Sequence, residues 1–241
     1  MNIIALLAAV SACLAMVEAD KTTAYADEIE PFKTPEAQDG VELTALEFQP
    51  YFKIKGPCSS YPAVDKFGVT SKGLPKDADD CEIPSEKSQA YTRGMWHKKR
   101  WAQMNAVYIP SKGTNTTWLN VVTFLNNPDA NHQKLLAVSY SPGYAKNINS
   151  YKSQTPPDEN ALIDGGHFKV VYDNKKKILY PNKSSKGKRQ PLIAWDQLTK
   201  EAQKALNDPS SFNHVQAPFN DANFKNNIHK AWEASGLPVM K

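Results

Sequence analysis

Short apolar runs separated by turn-forming residues dominate the middle of the chain. The run from Trp118 to Leu125 is apolar on both faces of a two-residue period, which is typical of a central strand covered on both sides. Further strands are predicted at residues 51–54, 106–109, 135–140 and 168–172. The turn signals Asn127-Pro128-Asp129 and Asp164-Gly165-Gly166 separate these runs.

Two helices are predicted towards the end of the chain. Residues 195–206 are rich in helix formers, and the Asn207-Asp208-Pro209 segment ends the pattern. In residues 221–234, apolar side chains recur every four residues on one face, and Gly236 takes the C-cap position.

A shorter helical turn is predicted before the first strand. Thr44 and Glu47 have the spacing of a capping box, and Pro50 stops the turn. Together these elements predict one domain, residues 20–241, of mainly antiparallel β structure with peripheral helices.

The first 19 residues have the pattern of a signal peptide. Ile3 to Val17 is apolar apart from Ser11, and Val17 and Ala19 are small residues at the positions a signal peptidase inspects. A buried N-terminal helix is the alternative interpretation. No later segment has the apolar length needed to span a bilayer. The sequence therefore predicts a secreted, extracellular protein.

The charge of the chain is mildly basic. The formal net charge is +4, and it becomes +5 when Glu18 leaves with the signal peptide. Most Lys and Arg residues are scattered without a nucleic-acid-binding motif, so no nucleic acid partner is predicted. One basic cluster stands out: Lys175, Lys176, Lys177, Lys183, Lys186, Lys188 and Arg189. It suits an anionic surface such as a phospholipid or acidic glycolipid, but the pattern favours a solvated loop.

Cysteines and glycosylation sequons are consistent with secretion. Cys13 lies in the signal peptide, which leaves Cys58 and Cys81 as one pair in an oxidising compartment, and a disulfide is predicted between them. Asn115-Thr116-Thr117 and Asn182-Lys183-Ser184 are N-glycosylation sequons, so glycans are predicted at Asn115 and Asn182.

Catalytic motifs are absent from the sequence. It has no GxSxG elbow, no HExxH pair and no phosphate-binding glycine loop, and nothing selects a catalytic pair of carboxylates. The histidines lack metal-ligand spacing: His97, His132, His167, His214 and His229. We therefore predict that the protein is not an enzyme.

Two further groups of residues have alternative interpretations. Asp164-Gly165-Gly166-His167 is compatible with a weak ion or sugar site, but a tight turn explains it better. Six aromatic residues are compatible with a carbohydrate site, although a core of this size also needs them. They are Tyr91, Trp96, Trp101, Tyr108, Trp118 and Tyr140.

Several stretches, taken together in order and spacing, resemble the necrosis- and ethylene-inducing peptide-like protein (NLP) family. The best matches are residues 190–198, QPLIAWDQL, and residues 218–224, PFNDANF. The segment around Cys58, CSSYPAVD, the position of Cys81 and residues 88–104, 121–125 and 135–139 also match, so the resemblance covers nearly the whole mature chain. The single cysteine pair is similar to the family's first type.

The resemblance implies a β-sandwich with flanking helices, similar to actinoporins and some lectins. Cytolytic family members bind plant sphingolipid headgroups with the help of a divalent cation and damage eudicot membranes. That activity depends on the motif Gly-His-Arg-His-Asp-Trp-Glu and on an aspartate in the preceding loop.

The corresponding segment of this chain has lost most of that motif. It reads Gly113, Thr114, Asn115, Thr116, Thr117, Trp118 and Leu119, and the preceding aspartate aligns with Lys112. Only the glycine and the tryptophan remain. Since hard divalent cations need several oxygen ligands including carboxylates, we predict that the cation site is lost and that no cofactor is bound.

The sequence therefore predicts a secreted plant-pathogen effector, of oomycete type, that contributes to virulence in the host apoplast. Because the cation site is lost, cytolytic activity is expected to be absent or weak. The predicted partner is a component of the plant host surface, either a glycolipid or a receptor. The alternatives are a lectin-like protein that binds a glycan or glycolipid without metal and, less favoured, a hydrolase.

Overall fold

Strands form most of the regular structure of the chain. The computed structural model describes residues 22–56, 58–78, 81, 83, 85–112, 116–129, 131–142, 150–164 and 166–239. The strands are β1 (Thr23–Ala24), β2 (Tyr51–Lys55), β3 (Thr70–Ser71), β4 (Ala90–His97), β5 (Arg100–Ile109), β6 (Thr117–Leu125), β7 (Leu135–Tyr140), β8 (Lys152–Gln154), β9 (Leu162–Ile163), β10 (His167–Asp173), β11 (Ile178–Pro181) and β12 (Leu192–Ala194). The helices are α1 (Gly40–Glu47), α2 (Lys200–Asn207), the short α3 (Ser211–His214) and α4 (Phe224–Ser235).

Two larger sheets and one short pair organise these strands. A six-stranded sheet has the order β12-β4-β5-β6-β7-β8, and a four-stranded sheet has the order β11-β10-β2 with β9 also paired to β10. Sequential hairpins are antiparallel, as predicted, but β12–β4, β10–β2 and β1–β3 are parallel. These parallel pairs join strands far apart in sequence, which a hairpin cannot connect.

The six-stranded sheet is covered on both faces. One face packs against the four-stranded sheet through an inter-sheet cluster that includes Phe52, Val107, Leu119, Val121, Phe168, Val170 and Tyr172. The other face packs against the helices through a helix-side cluster that includes Met104, Tyr108, Trp118, Phe124, Leu206, Phe219, Ile228 and Trp232. This arrangement explains why residues 118–125 are apolar on both faces. The fold is mainly β with few helices, in agreement with the prediction.

The helix ends follow local hydrogen bonding. The helix predicted at 195–206 is interrupted, because Trp195–Gln197 forms a 3-10 turn and α2 begins only at Lys200. The Thr199 hydroxyl caps α2 by accepting a hydrogen bond from the Ala202 amide at 3.2 Å. The second predicted helix is confirmed as α4, which ends at Gly236 in the left-handed conformation, with φ of 65°.

The capping box predicted at Thr44 is wrong. α1 begins four residues earlier, where Asp39 Oδ1 accepts a hydrogen bond from the Glu42 amide at 2.9 Å. Thr44 instead lies inside α1 and donates its hydroxyl to the carbonyl oxygen of Pro128 at 2.9 Å. The spacing of Thr44 and Glu47 therefore lies inside the helix and does not mark its start.

A disulfide joins Cys58 to Cys81, as predicted, with 4.5 Å between their Cα atoms. It closes the excursion that carries β3. The signal peptide predicted at residues 1–19 lies outside the described residues. Within the part of the chain that the structure describes, no helix is long and apolar enough to cross a membrane.

Candidate functional site

The segment that aligns with the family motif lies between β5 and β6. Gly113, Thr114 and Asn115 fall outside the described residues. Lys112 is exposed and forms an isolated bridge with Leu74. The described part of the segment then enters β6, where each side chain has a structural contact.

Leu119, which we aligned with the family's glutamate from the sequence, is fully buried. Its exposed fraction is 0%, and it belongs to the inter-sheet cluster together with Val107 and Val121. A carboxylate at this position would lose its hydration without gaining a charged partner there. The position therefore serves packing in this protein.

Trp118, retained from the motif, is also a core residue. It is 1% exposed and its ring lies 5.2 Å from Tyr108 and 5.4 Å from Phe219, between centroids. Its indole Nε1 is buried and has no hydrogen-bond partner among the described residues. The tryptophan therefore anchors the start of β6 in the helix-side cluster.

The two described threonines of the motif are buried too. Thr116 donates its hydroxyl to the carbonyl oxygen of Phe212 at 3.3 Å, and Thr117 pairs with Ile109 across the sheet. Phe212, Asn213 and His214 all have left-handed backbone angles, with φ of 53°, 55° and 63°. Non-glycine residues rarely adopt this conformation, so Thr116 stabilises an unusual turn.

A hard divalent cation does not fit the side chains present here. The described positions offer an ammonium, two buried hydroxyls, an indole and an isobutyl group, and none is a carboxylate. Over the described ranges, no three His, Cys, Asp or Glu side chains are grouped closely enough to hold a metal ion.

A cleft of about 470 Å³ lies beside the left-handed turn. Phe67, Lys72, Glu201 and Asn213 are among the residues that line it. This mixture of apolar, cationic, anionic and amide groups selects no single class of ligand.

The turn from Asp164 to His167 is structural. His167 Nδ1 lies 3.0 Å from the carbonyl oxygen of Gln49, and its Nε2 lies 3.2 Å from Arg189 Nη1. Since the guanidinium donates to Nε2, the imidazole donates from Nδ1 and stays neutral. Burial lowers the pKa of His167. Asp164 pairs with Lys186 at 3.1 Å. With both ring nitrogens engaged, the turn interpretation of this motif is favoured over an ion site.

The histidines are less scattered than the sequence indicates. The rings of His97 and His229 lie 5.7 Å apart, and Trp232 contacts His97 at 5.6 Å. Burial and the neighbouring His229 lower the pKa of His97. His132 and His214 lie on exposed turns. The hairpin between β4 and β5 brings His97 to α4, a tertiary contact with no local signal in the sequence.

The aromatic residues divide between core and surface. Tyr91, Trp101, Tyr108, Trp118 and Tyr140 are buried, which agrees with the core interpretation. Trp96 is the exception, since it is 52% exposed and packs edge-on against Trp101.

Asn182 is an unfavourable glycan acceptor in the folded chain. It is 3% exposed, and its Nδ2 donates to the carbonyl oxygen of Ser185. Its Oδ1 accepts hydrogen bonds from the amides of Ser184 and Ser185, both at 3.2 Å. A glycan on Nδ2 would break this turn. The glycan predicted at Asn182 stays a prediction that the folded turn disfavours, while the sequon at Asn115 lies outside the described residues.

All seven residues of the basic cluster are exposed, in agreement with a solvated surface, although several of them contact neighbouring side chains. Lys183 pairs with Asp158, Lys186 pairs with Asp164, and Arg189 contacts His167. Lys186 Nζ and Arg189 Cζ also lie over the ring of Tyr51, at 5.0 Å and 5.6 Å from its centroid. Lys175, Lys176 and Lys177 remain exposed in the turn between β10 and β11.

The family model described as Necrosis inducing protein (NPP1) matches residues 42–231. The chain belongs to this NLP family. It is 38% identical over 215 residues to NLP effector protein 9 of the oomycete Plasmopara viticola, covering 87% of this chain and 73% of that protein.

Solved NLP structures have the same fold. The protein NLPPya, solved with glucosamine and with mannosamine, is 32% identical with a TM-score of 0.75, covering 87% of this chain and 98% of that one. The non-toxic HaNLP3 protein is 32% identical with a TM-score of 0.74, covering 86% of this chain and 98% of that one. The resemblance noted in the sequence is thereby confirmed.

Proposed function

We propose that this NLP is a secreted effector that acts at the plant host surface, contributes to virulence and has little or no cytolytic activity. The observation that carries the proposal is the burial of Leu119 at the position of the family's glutamate. A cation-dependent headgroup site cannot be built on an apolar core residue.

The relatives support this proposal from two directions. NLP effector proteins of oomycetes match the chain over most of its length, which supports an effector secreted by a plant pathogen. HaNLP3 is described as non-toxic, so an NLP fold does not by itself entail toxicity. As part of the same proposal, this chain is secreted, is not an enzyme and binds no divalent cation.

A lectin-like function without metal is the second candidate. It is favoured by the complexes of NLPPya with two amino sugars. The packing of a six-stranded sheet on a four-stranded sheet also supports a β-sandwich similar to actinoporins and lectins.

The decisive experiment is ion leakage from eudicot leaf tissue treated with purified mature protein. The positive control is a motif-intact NLP, and the negative control is that same NLP with its motif glutamate changed to leucine. We expect no leakage above the negative control from a protein whose folding is verified by circular dichroism. Leakage equal to the positive control would overturn the proposal.

Glycan binding in the presence and absence of a chelator tests the second candidate. Binding of an amino sugar that EDTA does not alter supports a metal-independent lectin. Binding that EDTA abolishes would contradict both this candidate and the loss of the cation site.

A further inference from the structure

The outer face of the four-stranded sheet carries a row of lysines. Side chains alternate along β2 and β10, so Phe52 and Val170 enter the inter-sheet cluster while Lys53 and Lys169 point the other way. Lys55 lies on the same outer face, two residues after Lys53.

The loop after β11 folds over this face. The Asn182 amide donates to the carbonyl oxygen of Lys169 at 2.8 Å, and Lys53 Nζ donates to Ser185 Oγ at 3.0 Å. Phe52 and Lys188 exchange two backbone hydrogen bonds, at 3.0 Å and 2.9 Å. The loop is therefore fixed along β2, and the lysines lie in a recess.

This recess consists of two adjoining hollows that share Lys53 and Ser185. One hollow has a volume of about 420 Å³, and its lining includes Lys55, Tyr180 and Lys183. The other has a volume of about 300 Å³, and its lining includes Lys188. Together they form a groove with ammonium groups along its length and hydroxyl and amide groups between them.

The cations of the groove are incompletely neutralised. Lys169 lies on the same face of the sheet but is only 9% exposed and does not line either hollow. The hydrogen-bond partners of Lys53 and Lys55 are the neutral hydroxyls of Ser185 and Tyr180. Lys183 pairs with Asp158. Lys53 is half-buried, so water screens its charge less than that of an exposed lysine, whereas Lys55 is exposed and has Asp173 nearby.

The shape and the side chains of the groove favour an acidic saccharide over a membrane. Insertion into lipid needs a contiguous apolar surface. Among the described residues of this sheet, Ile178 alone is a large apolar side chain that is exposed, so such a surface is lacking there. Tyr180 offers an aromatic ring beside Lys55, whose Nζ lies 5.7 Å from the ring centroid. An aromatic ring next to hydroxyl, amide and ammonium groups suits a sugar that carries carboxylates.

We propose that the outer face of the four-stranded sheet, beside the loop 182–188, binds an acidic oligosaccharide whose carboxylates pair with Lys53 and Lys55. Neither a divalent cation nor the segment 112–119 takes part. This binding is therefore independent of whether the protein is cytolytic.

The test is calorimetric titration of the mature protein with an oligogalacturonide of defined length in EDTA. Lys53→Gln and Lys55→Gln each remove one cation of the groove, and Lys225→Gln removes one from an exposed position on α4. We expect each groove variant to weaken binding roughly threefold and the double variant roughly tenfold, as loss of partly exposed ion pairs predicts. Lys225→Gln should leave the Kd unchanged, and thermal melting verifies that every variant folds.

Ligand controls separate carboxylate recognition from other binding. The fully methyl-esterified oligomer should not bind. Salt at about 0.5 M should abolish binding of the free acid, because it screens the charges. Equal affinity of the wild type and the double variant would overturn the proposal. Binding to phosphatidylserine vesicles without binding to the oligogalacturonide would overturn it in favour of a membrane surface. Ion leakage has no bearing on these results, so failure here is distinguishable from failure of the proposed function.

Discussion

Trp118 and Leu119 are neighbours in β6, yet their side chains lie in different cores. Trp118 belongs to the helix-side cluster and Leu119 to the inter-sheet cluster. Two consecutive residues of β6, both within the segment that we aligned with the family's motif, thus hold the three layers together.

Changing Leu119→Glu should destabilise the protein without restoring a cation site. A carboxylate in the inter-sheet cluster loses hydration and has no charged partner, so we expect a loss of about 3–5 kcal/mol in the free energy of unfolding. Denaturant unfolding measures this loss. Leu119→Met is the matched control and should cost less than about 1.5 kcal/mol. A stable Leu119→Glu variant that binds Ca²⁺ would show that the position can face solvent.

Removing the disulfide should lower stability but leave the sheets paired. The bridge closes a loop between residues separated by 23 positions, and the chain-entropy model assigns such a loop about 3 kcal/mol. Chemical denaturation of the Cys58→Ser/Cys81→Ser variant should show this loss. A reducing agent should shift the wild type by a similar amount and leave the variant unaffected. A shift in the variant would point to an effect other than the bridge.

Stability should fall as the pH drops below about 6.5. Burial lowers the pKa of His97 and His167 from the ordinary value of 6.5, so the unfolded chain binds protons at a higher pH than the folded chain. Their contribution is complete above that value and is lost as the pH falls through the folded pKa. For His167 the nearby Arg189 acts in the same direction, whereas Asp164 opposes it.

Denaturant unfolding curves recorded from about pH 7.5 to about pH 5 measure how stability depends on pH. His167→Gln should flatten it, whereas His132→Gln, on an exposed turn, should not. A slope that is unchanged in His167→Gln would contradict the assignment.

Asn182 should remain unmodified in protein secreted from a eukaryotic host. Its Nδ2 is engaged with Ser185 and its side chain is buried, so a glycan is incompatible with the closed loop. Mass spectrometry before and after endoglycosidase treatment tests site occupancy. Ser184→Ala removes the sequon but keeps Asn182, so its glycan mass should equal that of the wild type. A mass lost specifically in Ser184→Ala would show that Asn182 is glycosylated.

The sequence predicted the strands with strong apolar patterns better than the helix ends. All five predicted strands are present, and four of them are longer than the apolar run. β4 was missed because its polar and small residues, such as Thr92 and Gly94, hide a strand whose partners are supplied by β5 and β12. Helix starts at Asp39 and Thr199 depend on single cap contacts that several nearby residues could equally provide.

The candidate site was predictable only in part. The eroded motif is visible in the letters of the sequence, but the burial of Leu119 depends on the four-stranded sheet. Lys53 and Lys55 alternate with apolar residues, which was a usable signal for one lysine-bearing face. Lys169 lacks a corresponding signal, because its position beside Tyr51 results from the parallel pairing of β10 with β2.

The backbone pairing of Phe52 with Lys188 also bears on solubility. β2 lies at an edge of its sheet, and an open edge strand can recruit a strand from another molecule. Gly187 permits the close approach, since its φ is 75° and a Cβ atom there would lie 2.9 Å from the Phe52 carbonyl. The loop thus blocks intermolecular β pairing at this edge, which protects the protein against aggregation at high local concentration.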